Sequence, residues 1–170
     1  MKHFRAPWSL SLILISVLGT GVCLAASVGV WLPSWHQHHS PAYGWVGLLP
    51  LLIIVSCAPF TIRGYTITDT AVLVHRLFWA TRLPRAGLLS AYFEPKAMRW
   101  SIRTFGNGGM FSYTGYFRNR ALGAYRAYVT DPKRTVVLCY ADRTIVISPE
   151  RPEEFTRELT FSPAKAQLSR

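Results

Sequence analysis

Two long apolar runs open the chain, and short alternating ones fill the rest. Trp8 to Leu32 is a run of 25 residues and Tyr43 to Phe60 one of 18. The first is long enough to cross a hydrocarbon core of roughly 30 Å as a helix. The second is near the lower limit for spanning and contains Pro50. Between Arg5 and Arg63 there is no Lys, Arg, Asp or Glu. That pattern predicts two transmembrane helices, about 8–32 and 43–60, joined by a short extracytoplasmic loop from Pro33 to Ala42.

A cleaved secretory signal would also place a basic start ahead of an apolar stretch. Here Cys23 and Leu24 stand where small residues are needed before Ala25 or Ala26, and the run continues to Leu32, so it reads as an anchor. Lys2 and Arg5 precede the first run, Arg63, Arg76, Arg82 and Arg85 follow the second, and the loop between has no cation. Cytoplasmic flanks retain Lys and Arg, so both termini are expected in the cytoplasm. Trp8, Trp31, Trp35, Tyr43 and Trp45 fall at interface levels, where amphipathic rings prefer headgroup depth. Gly21, Ala25 and Gly29 form a small-residue stripe that would let a second span or a second protomer approach closely.

Beyond Thr61 the pattern becomes that of strands, and about 100 residues remain, enough for one domain over 61–160 with a flexible tail at 161–170. Tyr65–Thr68 and Val72–His75 flank a tight Asp69-Thr70 turn. Leu88–Phe93 is a further strand stopped by Pro95. Ala124–Thr130, Thr135–Tyr140 and Thr144–Ser148 follow in meander spacing, joined by Asp131-Pro132-Lys133-Arg134 and Ala141-Asp142-Arg143. Ser148 to Glu154 opens a helix with Pro and acids in its first turn, running to about Thr160 and burying Phe155 and Leu159.

The net charge of +11 belongs almost wholly to this second part, since both apolar runs are neutral. Three cysteines, Cys23, Cys57 and Cys139, do not make a closed disulfide framework and read as small core residues. His36-Gln37-His38-His39 offers imidazoles but no acid or thiol beside them, so it reads as a polar loop, and no metal or other cofactor is expected. Enzyme signatures are missing: there is no G-x-S-x-G, no H-E-x-x-H and no Cys-x-x-Cys.

Tyr65–Thr68, Leu83-Pro84-Arg85 and above all Gly106 to Asp131 resemble a bacterial family of pleckstrin-homology-like (PH-like) membrane proteins. The resemblance implies a membrane-anchored α+β protein, with two N-terminal transmembrane segments followed by a mostly antiparallel PH-like roll of roughly seven strands and a C-terminal helix. It also implies a place in the bacterial inner membrane and no assigned enzymatic activity. The loop between the first two strands, Thr68-Asp69-Thr70-Ala71, is short and acidic, unlike the basic loops of PH domains that bind phosphoinositides.

The segment from Lys96 to Arg126 has no acidic residue. Its cations, Lys96, Arg99, Arg103, Arg118, Arg120 and Arg126, are interleaved with Trp100, Phe105, Phe111, Tyr113, Tyr116, Phe117 and Tyr125. Basic and aromatic residues together suit anionic headgroups or nucleic acid; a domain tethered to a membrane meets lipid first, and no nucleic-acid partner is expected. Gly106-Asn107-Gly108-Gly109 within it reads as a tight turn needing positive φ, with anion binding by its N–H groups as the alternative. The function expected is a noncatalytic interaction or lipid-surface module; the alternative is an accessory subunit of a membrane transport or envelope-biogenesis complex, binding a protein partner.

Overall fold

The computed structural model describes residues 1–36 and 42–161. Gln37, His38 and His39 of the histidine loop and the tail from Ser162 lie outside the described residues. The chain opens not with a helix but with a strand, Lys2–Arg5 (β1), and only then enters helix Leu10–His36 (α1). Helix Ala42–Cys57 (α2) follows and ends in a single 3-10 turn, Ala58–Phe60. Nine more strands come next: Ile62–Ile67 (β2), Ala71–Arg76 (β3), Ala80–Pro84 (β4), Leu88–Phe93 (β5), Ile102–Gly108 (β6), Tyr113–Asn119 (β7), Gly123–Val129 (β8), Val136–Tyr140 (β9) and Thr144–Ile147 (β10). Helix Pro152–Phe161 (α3) closes the described chain.

Among the described residues one helical stretch, Leu10–Leu32, is both long and apolar enough to cross a membrane. α1 runs past Pro33 to His36, so part of the predicted loop is helical. α2 contains Pro50 without breaking and, at 16 residues, rises only about 24 Å. The two helices lie side by side. Gly47 of α2 sits so close to Trp31 that a Cβ there would come within 2.3 Å of the indole. The face of α1 turned inward carries Leu12, Ser16, Cys23 and Ser27 at spacings of four, seven and four. Gly21, Ala25 and Gly29 point outward, and a Cβ at Gly21 or Gly29 would meet nothing within 4 Å. The small-residue stripe therefore does not face α2.

Two sheets build the domain, one in the order β1-β2-β3-β4 and the other β5-β9-β10-β8-β7-β6. β1 belongs to it fully: Lys2, His3, Phe4 and Arg5 pair antiparallel with Ile67, Thr66, Tyr65 and Gly64. Phe4 is buried edge-on against Phe155 of α3, with ring centroids 5.0 Å apart. Lys2 Nζ lies 2.7 Å from both Glu154 and Glu158 of the same helix. The domain expected to start at Thr61 thus takes its first strand from the other side of both helices.

The expected meander of the last three strands is replaced by an insertion. The β9–β10 hairpin enters so that β10 lies between β9 and β8, antiparallel to the first and parallel to the second. A strand paired on both sides and buried on both faces needs apolar residues at successive positions, which Ile145-Val146-Ile147 supply. Ile145 and Ile147 face the core between the sheets with Tyr65, Tyr128, Leu138, Phe155 and Leu159. Val146 faces a second cluster with Ala97, Phe117, Tyr125 and Val137. Tyr65 ties the sheets together: its hydroxyl donates to the Tyr128 carbonyl at 2.7 Å and accepts the Ser148 N–H at 3.2 Å. Burial pushes its pKa up to about 12, so it stays a neutral donor.

Candidate functional site: a basic groove opposite the helix junction

The β6–β7 hairpin has two ends with different jobs. At its turn, Asn107 Oδ1 accepts the N–H groups of Gly109 (3.3 Å) and Met110 (3.1 Å). Phe111 N–H is accepted at 2.9 Å by Ser16 Oγ of α1, and that hydroxyl reaches the Gly109 carbonyl at 3.5 Å. Ser112 Oγ donates to the Phe60 carbonyl at the foot of α2 (2.9 Å). The turn is therefore clamped to both helices, and the N–H groups of Gly109, Met110 and Phe111 already have acceptors within the protein. Positive φ occurs at Gly106 (104°), Gly109 (131°) and Phe111 (65°), but not at Gly108. Gly106 faces Gly115 (φ 137°) across the hairpin, and a Cβ on either would fall within 2.4 Å of the opposite backbone.

The other end, six residues along each strand or about 20 Å away, carries the charge. A groove of about 900 Å3 is lined by Lys96, Arg99, Trp100, Ile102, Thr104 and, from the β7–β8 end, Arg118, Asn119 and Arg120. Four of the six cations singled out in the sequence meet there. All four are exposed, and among the described residues none has a carboxylate within salt-bridge distance. Trp100 is 84 % exposed with φ 54°, a left-handed conformation that strains a non-glycine residue. The Arg99 guanidinium sits over its ring at 5.7 Å.

The loop 94–101 that carries Lys96, Arg99 and Trp100 is stapled from below. Asn119 Nδ2 donates to the Ala97 carbonyl (2.7 Å) and to Ser101 Oγ (3.0 Å), and the Tyr125 hydroxyl donates to the same Ser101 Oγ (2.6 Å). Burial raises the Tyr125 pKa, which keeps that donor protonated. These supports had no signal in the sequence, because a loop's anchors come from strands about 20 residues away.

Arg103 and Arg126 stand apart from the groove. Arg103 lies beside Met98, Tyr113, Phe117 and Pro132. Arg126 lies over the rings of Tyr116 (5.5 Å) and Tyr128 (5.2 Å). Arg76 also lies over Tyr128 (5.1 Å), buried among Phe60, Trp79 and Tyr128, and loss of solvent pushes its pKa below the usual arginine value. Cys23, Cys57 and Cys139 are free and partly buried. Among the described residues no group of three or more His, Cys, Asp or Glu is placed to hold a metal.

The architecture is α+β: N-terminal helices, one of them long and apolar, then the two sheets of a PH-like domain and a C-terminal helix. The chain belongs to the Bacterial PH domain family, whose model matches residues 63–162. No curated protein and no solved structure matches it.

Proposed function

We propose that this is a noncatalytic adaptor of the bacterial inner membrane, presenting its basic groove to an acidic segment of a partner protein. One observation carries the reading: the groove lies at the opposite end of the β6–β7 hairpin from the turn that grips α1 and α2. About 20 Å from that junction, the groove stands more than one screening length beyond the edge of the apolar layer even with the junction about 9 Å below it, so its own leaflet's charge reaches it weakened. An exposed indole on a strained backbone, flanked by four cations that have no carboxylate partner among the described residues, suits a chain that offers carboxylates and an apolar side chain together. This favours the protein-partner alternative over a lipid-surface role for the same residues.

Both termini on one side is supported by strand pairing. β1 precedes α1 and β2 follows α2, yet they share a sheet, so the helices between must cross an even number of times. If α1 crosses, α2 returns the chain, and its short apolar length is met by local thinning of the bilayer. Lys2, Arg5 and Arg63 on that shared side favour the cytoplasm for it, since cytoplasmic flanks retain Lys and Arg.

The test uses full-length protein in nanodiscs of neutral or anionic lipid, with a fluorescent polyglutamate peptide as probe. Binding should be equal in the two lipids, weaken with salt, and fall at least about tenfold when Lys96, Arg99, Arg118 and Arg120 are all changed to Gln. Binding indifferent to the quadruple change would overturn the proposal. Binding lost only in anionic discs would mean that the groove faces lipid.

A further inference from the structure

The end of the domain that grips the helices carries an apolar turn that the groove does not explain. Between β3 and β4 lie Leu77, Phe78 and Trp79, all exposed, with Phe78 at 76 %. Trp79 packs edge-on against Phe60 at the foot of α2, ring centroids 5.6 Å apart. Beneath them Arg76, only 6 % exposed, places its guanidinium over both rings and donates from Nε to Thr81 Oγ1 at 3.2 Å. The turn thus packs through Trp79 and Arg76 on Phe60, in the 3-10 turn that ends α2.

Depth can be read along α1. The stretch able to cross a membrane begins at Leu10, and Ser16, which holds the β6–β7 turn, lies six residues or about 9 Å further in. Leu10, Ile13, Leu14, Val17 and Leu18 around that level are all exposed and apolar. A membrane that covers them also reaches the β6–β7 turn and Phe60. Irregular backbone at such depth is tolerated only where its polar groups are satisfied by protein. Here Asn107 takes two N–H groups, Ser16 a third, and Ser112 serves the Phe60 carbonyl.

We infer that the domain is sunk into its own leaflet, with the Leu77-Phe78-Trp79 turn inserted at the boundary between headgroups and acyl chains. This rests on α1 crossing the membrane but not on what the groove binds. A Trp and a Phe at that level are where amphipathic and aromatic rings settle, and Arg5 and Arg63, both exposed on paired strands beside the helix ends, are placed to meet headgroup phosphates. The domain then has a fixed height and orientation, and the groove is held away from the lipid.

Single cysteines at Phe78→Cys, Val22→Cys and Ala121→Cys, in full-length protein with the native cysteines changed to Ala, test this with a fluorescent label. The label at 22 reports the anchor, the label at 78 the turn and the label at 121 the groove rim. In phosphatidylethanolamine–phosphatidylglycerol nanodiscs, lipid carrying a nitroxide high on its acyl chain should quench 78 several-fold more than 121, while aqueous iodide should do the reverse. If 22 is quenched by lipid but 78 behaves like 121, the inference is wrong and the anchor reading survives. A label at 78 shielded from both quenchers means that protein covers the turn, which also overturns it. If 22 is not quenched by lipid, the anchor reading fails, and this inference with it.

Discussion

Four glycines stand within ten residues of each other in the β6–β7 hairpin, and they do unequal work. Gly106 and Gly115 are paired across the ladder at positive φ, each leaving no room for a side chain. Gly108 has ordinary φ, and a Cβ there would press only on the flexible side chain of Arg103. Gly106→Val should therefore cost at least about 1–3 kcal/mol from backbone strain alone, with the clash against Thr114 added. Gly108→Val should change the melting temperature in detergent little. The glycine-rich composition was legible in the sequence, but not which glycine is indispensable, because that depends on a bulge between Arg103 and Phe105 that sets the register.

At the level of elements, legibility followed the strength of local signals. α3 was readable because Pro152, Glu153 and Glu154 mark a first turn and Phe155 and Leu159 share one face. The Asp69-Thr70 turn was readable from its polar residues, and it is closed as expected by Thr68 N–H on the Ala71 carbonyl at 2.9 Å. β1 was not readable, since four residues ahead of an apolar helix carry no period, and its partner lies some 60 residues away. Its contribution is nonetheless large. Phe4 is fully buried between β1, β2 and α3, so Phe4→Ala should destabilise the domain by about 3–5 kcal/mol, measured by thermal unfolding in detergent. A fragment starting at Thr61 lacks that ring and should be correspondingly unstable.

In the whole molecule, these elements combine into a domain that begins before the helices and ends after them. The charges of the candidate site were visible in the sequence as an acid-free run, yet their division was not. Hairpin direction decides it: Lys96, Arg99, Arg118 and Arg120 fall at the end away from α1, while Arg103 and Arg126 pack against sheet faces. The strand pairing that returns the chain to its starting side is the claim on which membrane topology, domain height and groove direction all depend. It can be measured by a cross-link. His3 and Thr66 are register partners, and Cα atoms opposite one another in an antiparallel pair lie about 4.5–5.5 Å apart, within disulfide range. His3→Cys with Thr66→Cys, in full-length protein with the native cysteines changed to Ala and a protease site placed within residues 37–41, should oxidise in native membranes. The two cleaved halves should then stay joined until a reductant is added, while a His3→Cys, Ala121→Cys control should separate. Halves that separate in both variants would contradict the shared sheet, and with it the return of the chain.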